Sequence, residues 1–216
     1  MKKLFVLLAI VVGMQVAAFS QKVIRKNLEA KGKTVEMKFD FADTIFIEAW
    51  NKSTLALEVS VNIDENQFND NYSLNVNENS GNVKLEEVVD FKAIQKKKAK
   101  ENCNINSHII YTLKVPADLA FNLKTISGQV EIKGTTGKMD VNSISGFIDY
   151  AAPSACKAKI SISTITGNVY SNLKFDDQKA KDKEMKWVGS DYNLTLNGGG
   201  PEMALKTISG DIFLRK

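Results

Sequence analysis

The residues best suited to acid–base work are two adjacent carboxylate pairs, Glu86-Glu87 and Asp176-Asp177. Clustered carboxylates cleave polysaccharides by dividing the acid and base or nucleophile roles between them. A lyase or phosphate enzyme also needs cations or imidazoles to hold charge. Beyond residue 20 the chain has only Arg25 and Arg215, and His108 is its one histidine. His108 opens an apolar run and has no second histidine with which to build a metal or catalytic site. It reads as a surface residue at a strand end. No GxSxG, P-loop, HExxH or Cys–His signature is present. Gly198-Gly199-Gly200 precedes Pro201 and reads as a loop before a strand, whereas a phosphate cradle would open a helix. Cys103 and Cys156 could form one disulfide in an oxidising compartment or remain two buried thiols. Trp50 and Trp187 could stack on a sugar face or cap the ends of a core. The expectation is a protein without catalytic residues, metal or cofactor.

These residues must be placed by a chain of 216 residues, 44% hydrophobic and 25% charged, with only 3 Pro. That length suffices for one large core and argues against disorder or a Pro-rich linker. Residues 1–20, MKKLFVLLAIVVGMQVAAFS, have the three parts of a secretory signal peptide. Lys2 and Lys3 give the positive start, Leu4 to Val12 the apolar stretch, and Ala18-Phe19-Ser20 the small-residue cleavage site before Gln21. A retained anchor would be longer and lack Gly13 and Gln15. No cysteine follows the cleavage point, so a lipoprotein is not expected. Removing the segment leaves 27 basic and 25 acidic residues, a balance that offers nothing to nucleic acid. No later run reaches membrane-spanning length. The expected product is an exported periplasmic, secreted or surface protein, with one domain over 21–216.

Strand patterning dominates that domain. KTVEMKFDF puts Val35, Met37 and Phe39 on one side, DTIFIEAW alternates Ile45, Ile47 and Ala49 against Phe46 and Glu48, and TLALEVSVNI alternates Leu55, Leu57, Val59 and Val61 against Thr54, Ala56, Glu58 and Ser60. Asn51-Lys52-Ser53 between the last two predicts a hairpin or tight corner. Further strands are predicted at 73–77, 81–89 and 108–115. Helix signals are confined to 64–72 and 92–102, the second carrying Lys96, Lys97, Lys98 and Lys100. That run suits an anionic lipid or glycan, or simply a solvated connection, and the second reading is preferred. Residues 174–186 read as a charged, exposed insertion. Residues 21–105 are the less regular half.

The second half, 106–216, carries a repeat. KTISG at 124–128, NSISG at 142–146, STITG at 163–167 and KTISG at 206–210 place Gly128, Gly146, Gly167 and Gly210 at intervals of 18, 21 and 43. A period near 20 with strand-type flanks marks a repeat architecture. Apolar residues alternate up to each motif and resume after it in the opposite parity. The buried face must therefore switch at the motif, and glycine tolerates the backbone such a bend requires. Ile126, Ile144, Ile165 and Ile208 are in step with the downstream apolar residues, which predicts a buried isoleucine column beside Ser127, Ser145, Thr166 and Ser209. The expected fold is all-β, a single-chain parallel β-solenoid of short two-strand coils. An antiparallel sandwich or meander is the alternative, with Gly134-Thr135-Thr136-Gly137 as one of its hairpin turns. The last repeat, ending in Ile212 and Leu214, is expected to leave an open C-terminal edge that needs a lid or a second molecule, hence a homodimer.

The phrases IIYTLKVPADLAFNLKTISGQVEI and FADTIFIEAWNKSTLALEVSV, with the later SISG, TITG and TISG corners, resemble the DUF4097 / putative-adhesin β-strand-repeat proteins. These are common among exported proteins of Bacteroidetes and related to the head domain of putative autotransporter adhesins. The resemblance spans roughly residues 30–216 and implies a right-handed parallel β-helix with an adhesin-like role and no catalytic residue. The insertion at 174–186 departs from the pattern. Three functions follow as expectations: an adhesin-like envelope or surface interaction module meeting a protein or glycan; a periplasmic envelope-stress or accessory protein meeting a protein partner; and, least favoured, a carbohydrate-active enzyme.

Overall fold

A computed structural model describes residues 20–98, 104–176 and 185–216, with backbone alone over 185–190. The signal peptide, Cys103, the bulk of the charged insertion with Asp177, and the Trp187 side chain lie outside the described residues. In chain order the strands are β1 (Lys22–Glu29), β2 (Thr34–Lys38), β3 (Thr44–Trp50) and β4 (Thr54–Ile63). A short 3-10 turn at Asn69–Asn71 leads to β5 (Tyr72–Glu78) and β6 (Asn82–Val89). Helix α1 (Phe91–Lys98) leads to β7 (Ser107–Pro116), β8 (Ala120–Thr125), β9 (Gln129–Lys133), β10 (Met139–Ser145) and β11 (Ile148–Ala151). The chain closes with β12 (Ala158–Ser171), β13 (Met185–Leu196), β14 (Glu202–Ser209) and β15 (Ile212–Arg215).

The protein is all-β, a large mixed sheet that does not close on itself. Its strands run β1-β4-β7-β3-β9-β11-β15-β12-β14-β10-β8-β2-β6-β5, with β13 alongside β12. Strand β12 is long enough to divide this sheet into two arms. Its first half pairs parallel with β14, from Lys159 opposite Glu202 to Thr164 opposite Thr207. Its second half pairs parallel with β15, from Val169 to Ser171. The front arm holds β15, β11, β9, β3, β7, β4 and β1, and the back arm β14, β10, β8, β2, β6 and β5. Inward residues of both arms form one apolar cluster, including Phe121, Leu123, Val130, Ile132, Val141, Ile148, Leu205 and Ile212. Burying alternate residues from two facing surfaces is what a period-2 pattern with a switch of parity requires.

Each repeat supplies one strand to each arm. The units β8–β9, β10–β11, β14–β15 and the two halves of β12 form rungs joined at the glycine motifs, and rung pairs with rung in parallel. Strands β2 and β3 make a further rung, since β2 pairs parallel with β8 and β3 with β9. Strands β6 and β7 make another through β2 and β3, with α1 inserted at their bend. The helix takes the place expected for 92–102.

Two alternatives that the sequence left open are resolved, and one expectation is corrected. Strands β3 and β4 do not form a hairpin around Asn51–Ser53, because β7 lies between them, parallel to β3 and antiparallel to β4. The connection is the tight corner, the other of the two forms expected there, and across it Trp50 Nε1 donates to the Thr54 carbonyl at 2.8 Å. Gly134–Gly137 is likewise no hairpin turn: β9 pairs with β3 and β11, and β10 with β8 and β14. The C-terminal strand is not an open edge. Strand β15 pairs with β11 on one side and β12 on the other, so the last rung in sequence is interior in space. Strand β13 runs antiparallel along both halves of β12 and flanks that end.

Candidate functional site

The repeat corners converge on one edge of the molecule. Parallel register sets Thr125 beside Ser143, Ser143 beside Thr207, and Thr207 beside Thr164. The spatial order of rungs therefore differs from their sequence order: Ile126, Ile144, Ile208, Ile165. All four hydroxyl residues face inward and are buried. Thr125 Oγ1 accepts from the Gly128 amide at 3.3 Å, and Thr164 Oγ1 accepts from the Gly167 amide at 3.0 Å. Thr164 Oγ1 also donates to the Gly210 carbonyl at 3.2 Å, and Ser143 Oγ donates to the Ser145 carbonyl at 2.9 Å. Thr207 Oγ1 is buried without a partner among the described residues.

Close approach, more than backbone angle, demands the glycines. A Cβ on Gly128 would sit 2.9 Å from the Ala42 carbonyl oxygen, and one on Gly146 2.6 Å from that of Gly128. A Cβ on Gly210 would fall onto the Gly146 carbonyl, and one on Gly167 onto that of Gly210. The carbonyl of each rung thus occupies the side-chain space of the next. Only Gly146, at φ +113°, also sits in the left-handed region.

The corner isoleucines are not buried. Ile126 is 41% exposed, Ile144 50%, Ile165 66% and Ile208 47%. The expected buried column was displaced by one position. The inward series runs 121, 123, 125, then 128, 130, 132, so two successive residues, Ile126 and Ser127, face outward around the bend. The other three corners do the same. The inward place at the bend belongs to a threonine or serine, whose hydroxyl can bond the turning backbone, as an isoleucine cannot.

A second surface lies on the outer face of the front arm. Register aligns Thr112, Phe46, Glu131, Asp149, Phe213 and Tyr170 in one row across six strands. Phe213 stacks on Tyr170 with ring centroids 5.2 Å apart, and Phe147 meets Phe213 edge-on at 6.0 Å. The next row sets Glu48, Lys133, Ala151 and Arg215 in line. Arg215 grips the buried Asp149 through both carboxylate oxygens, Nε to Oδ1 at 2.8 Å and Nη2 to Oδ2. Between Phe46 on one side and Arg215 on the other is an open groove of about 330 Å³ lined by Glu48, Glu131 and Lys133. The Phe46 ring that lines it can stack on an apolar ligand face, and its charged groups can donate and accept hydrogen bonds. A signal for this surface was present in the sequence. Phe46, Tyr170 and Phe213 each sit at an outward position between two inward residues, where an alternating strand ordinarily carries a polar side chain.

The other singled-out residues are dispersed. His108 is exposed at the start of β7, 3.4 Å from Asp43. Trp50 is half-buried at the end of β3, with Lys52 Nζ 4.7 Å from its ring centre. Trp187 lies on β13, five strands away in the sheet order. Glu86 meets Lys38 and Lys84, whereas its neighbour Glu87 is buried. Glu87 accepts from the Phe41 amide at 2.6 Å and from the Tyr111 hydroxyl at 3.0 Å, and Tyr111 is within 2.8 Å of the Tyr72 hydroxyl. Burial pushes the Glu87 carboxyl up to about 7 despite those two donors. Asp176 accepts from the Gly198 amide at 2.7 Å. Cys156 is buried with its Sγ 3.3 Å from the Tyr150 hydroxyl, and its pairing with Cys103 falls outside the described residues. Among the described residues, no three His, Cys, Asp or Glu side chains cluster as metal ligands, and no helix is long and apolar enough to cross a membrane.

No family model matches the chain, and no curated protein matches it by sequence. Solved structures do resemble it. One is a putative cell adhesion protein from Clostridium sporogenes, 12% identical, covering 91% of this chain and 99% of that one with a TM-score of 0.54. Another is a putative adhesin from Bacteroides fragilis, 11% identical, covering 91% and 98% with a TM-score of 0.34. The likeness to the Clostridium structure is one of fold.

Proposed function

We propose that the protein is an exported, adhesin-like interaction module without catalytic activity, a β-solenoid whose front face takes a surface glycan. The groove between Phe46 and Arg215 carries this reading: an exposed aromatic ring beside fixed charged groups on a long sheet face suits a sugar polymer better than a reaction. The fold likeness to a putative cell adhesion protein and the resemblance to the putative-adhesin repeat proteins support it. So does the leader-like composition of residues 1–20.

A glycan array probed with the exported chain tests the proposal. A ligand class retained by the native protein and lost with Phe46→Ala supports it. Phe46 is an outward residue, 38% exposed, so its loss should leave the fold intact. An array that stays blank, while pull-down captures an envelope protein, would replace the glycan with a protein partner.

A further inference from the structure

The isoleucine column is exposed well beyond what a core position would be. Each corner keeps an isoleucine in a position 41–66% open to solvent, although serine or threonine fills the next outward position every time. Four in-register rungs about 4.8 Å apart place these side chains along a straight line of about 14 Å. Two consecutive outward residues at every bend make this line the crest of a convex ridge, not the floor of a groove. A straight convex crest can present all four side chains to a plane at once.

Charge along the same edge points to the character of that plane. Lys124 and Lys206 stand two residues before Ile126 and Ile208, on the same outward face. Beyond Ile126 the edge continues through Phe41, which meets Phe91 of α1 edge-on at 4.8 Å. Helix α1 bridges the bend between β6 and β7 and exposes Lys92, Lys96 and Lys97. None of these five lysines makes an ion pair among the described residues. Of the acids along this edge, Asp40 is paired with Lys38 at 3.3 Å, whereas Asp43, Asp90 and Asp211 accept backbone amides at 2.7, 2.9 and 2.8 Å and keep their charge, so the five lysines outnumber the unpaired carboxylates by two.

We propose that the corner edge is a membrane-docking ridge, on which Ile126, Ile144, Ile208 and Ile165 enter the interfacial layer of a bilayer while the lysines of α1, Lys124 and Lys206 meet anionic headgroups. Apolar insertion with electrostatic attraction is how peripheral surfaces hold to membranes, and neither component alone suffices for stable binding. The ridge lies on a different side of the fold from the Phe46 groove, so the inference stands whether or not that groove takes a glycan.

Vesicle flotation of the exported chain, its N-terminus determined, tests the ridge. The probes are vesicles of phosphatidylcholine alone and of equimolar phosphatidylcholine and phosphatidylglycerol. The native protein should float with the anionic vesicles, and the double variant Ile144→Ser/Ile208→Ser should bind them about tenfold more weakly or worse. Both positions are exposed, so the variant should melt with the native protein, and an unchanged melting curve is the control. Lys96→Glu/Lys97→Glu should weaken binding to anionic vesicles and reduce its salt sensitivity. Phe46→Ala should bind vesicles as the native chain does, which separates this ridge from the groove. Native protein that stays unbound to both vesicles overturns the proposal, as does a serine double variant that floats equally well. Self-association abolished by the serine variant, with no vesicle binding, would assign the ridge to a second copy instead.

Discussion

Two threonines of the corner ladder, equally buried and adjacent in register, should respond oppositely to the same substitution. Thr164 and Thr207 are 3% and 4% exposed, and Thr164 lies beside Thr207 across β12 and β14. Valine keeps the shape of threonine and exchanges the hydroxyl for a methyl. At Thr164 that exchange removes two hydrogen bonds, from the Gly167 amide and to the Gly210 carbonyl. Leaving a buried donor or acceptor without its partner costs about 1–3 kcal/mol, so Thr164→Val should destabilise by about 2–4 kcal/mol. At Thr207 no bond is lost, and a hydroxyl buried without a partner gives way to an apolar group. Thr207→Val should be neutral or stabilise by up to about 1 kcal/mol. Urea denaturation of both variants, compared at equal slope, reads the difference directly. Equal losses at the two sites would refute the claim that the inward hydroxyls serve to bond the bend, and would leave them as space-filling residues.

The glycines offer a parallel contrast. Gly210→Ala should lower stability by about 3 kcal/mol or more, because its Cβ would meet the Gly146 carbonyl of the neighbouring rung, whereas Gly81→Ala meets nothing within 4 Å and should be neutral or stabilising by about 0.5 kcal/mol in the same denaturation assay. Glu87 sets a pH dependence whose sign follows from burial. Its carboxyl titrates near 7 when folded against an ordinary 4.5, so the folded state holds the extra proton between those values and stability falls as pH rises through them. The full loss above pH 7 is about 3 kcal/mol, and Glu87→Gln should flatten the stability profile between pH 4.5 and 8.

The alternation of single strands was legible because one face of each is buried: Val35, Met37, Ile45, Ile47, Leu57 and Val59 all lie in the core as their spacing requires. The corners were located correctly but read one residue out of phase. Parity shows that a face switches within Thr-Ile-Ser-Gly without showing where. The downstream series supports isoleucine as its first inward member equally well. Only the packing of glycine against the neighbouring carbonyl places the switch at serine-glycine. Asn51–Ser53 left a hairpin and a tight corner equally open for a different reason. Turn chemistry records a change of direction but not which strand lies alongside, and here β7, which begins only at Ser107, fills the gap. The Phe46 groove was missed because its residues are far apart in sequence and meet only through parallel register.

The order of the rungs was illegible for a further physical reason. Repeats with the same inward residues offer one another nearly the same surface, so β14–β15 fits between β10–β11 and β12 as well as sequence order would suggest beyond it. What breaks the degeneracy is direction. Strand β12 is followed by β13, which returns antiparallel over both of its halves, from Ala158 opposite Leu196 to Ser171 opposite Met185. The reversed strand occupies one hydrogen-bonding edge of β12 and leaves only the other for a parallel partner. The final repeat must therefore enter on the side of β10–β11. At the opposite end β4 and β5 reverse against β7 and β6 in the same way. The parallel stack is thus bounded at both ends by antiparallel strands, with β13 at one end and β1 and β5 at the other as the outermost strands of the sheet.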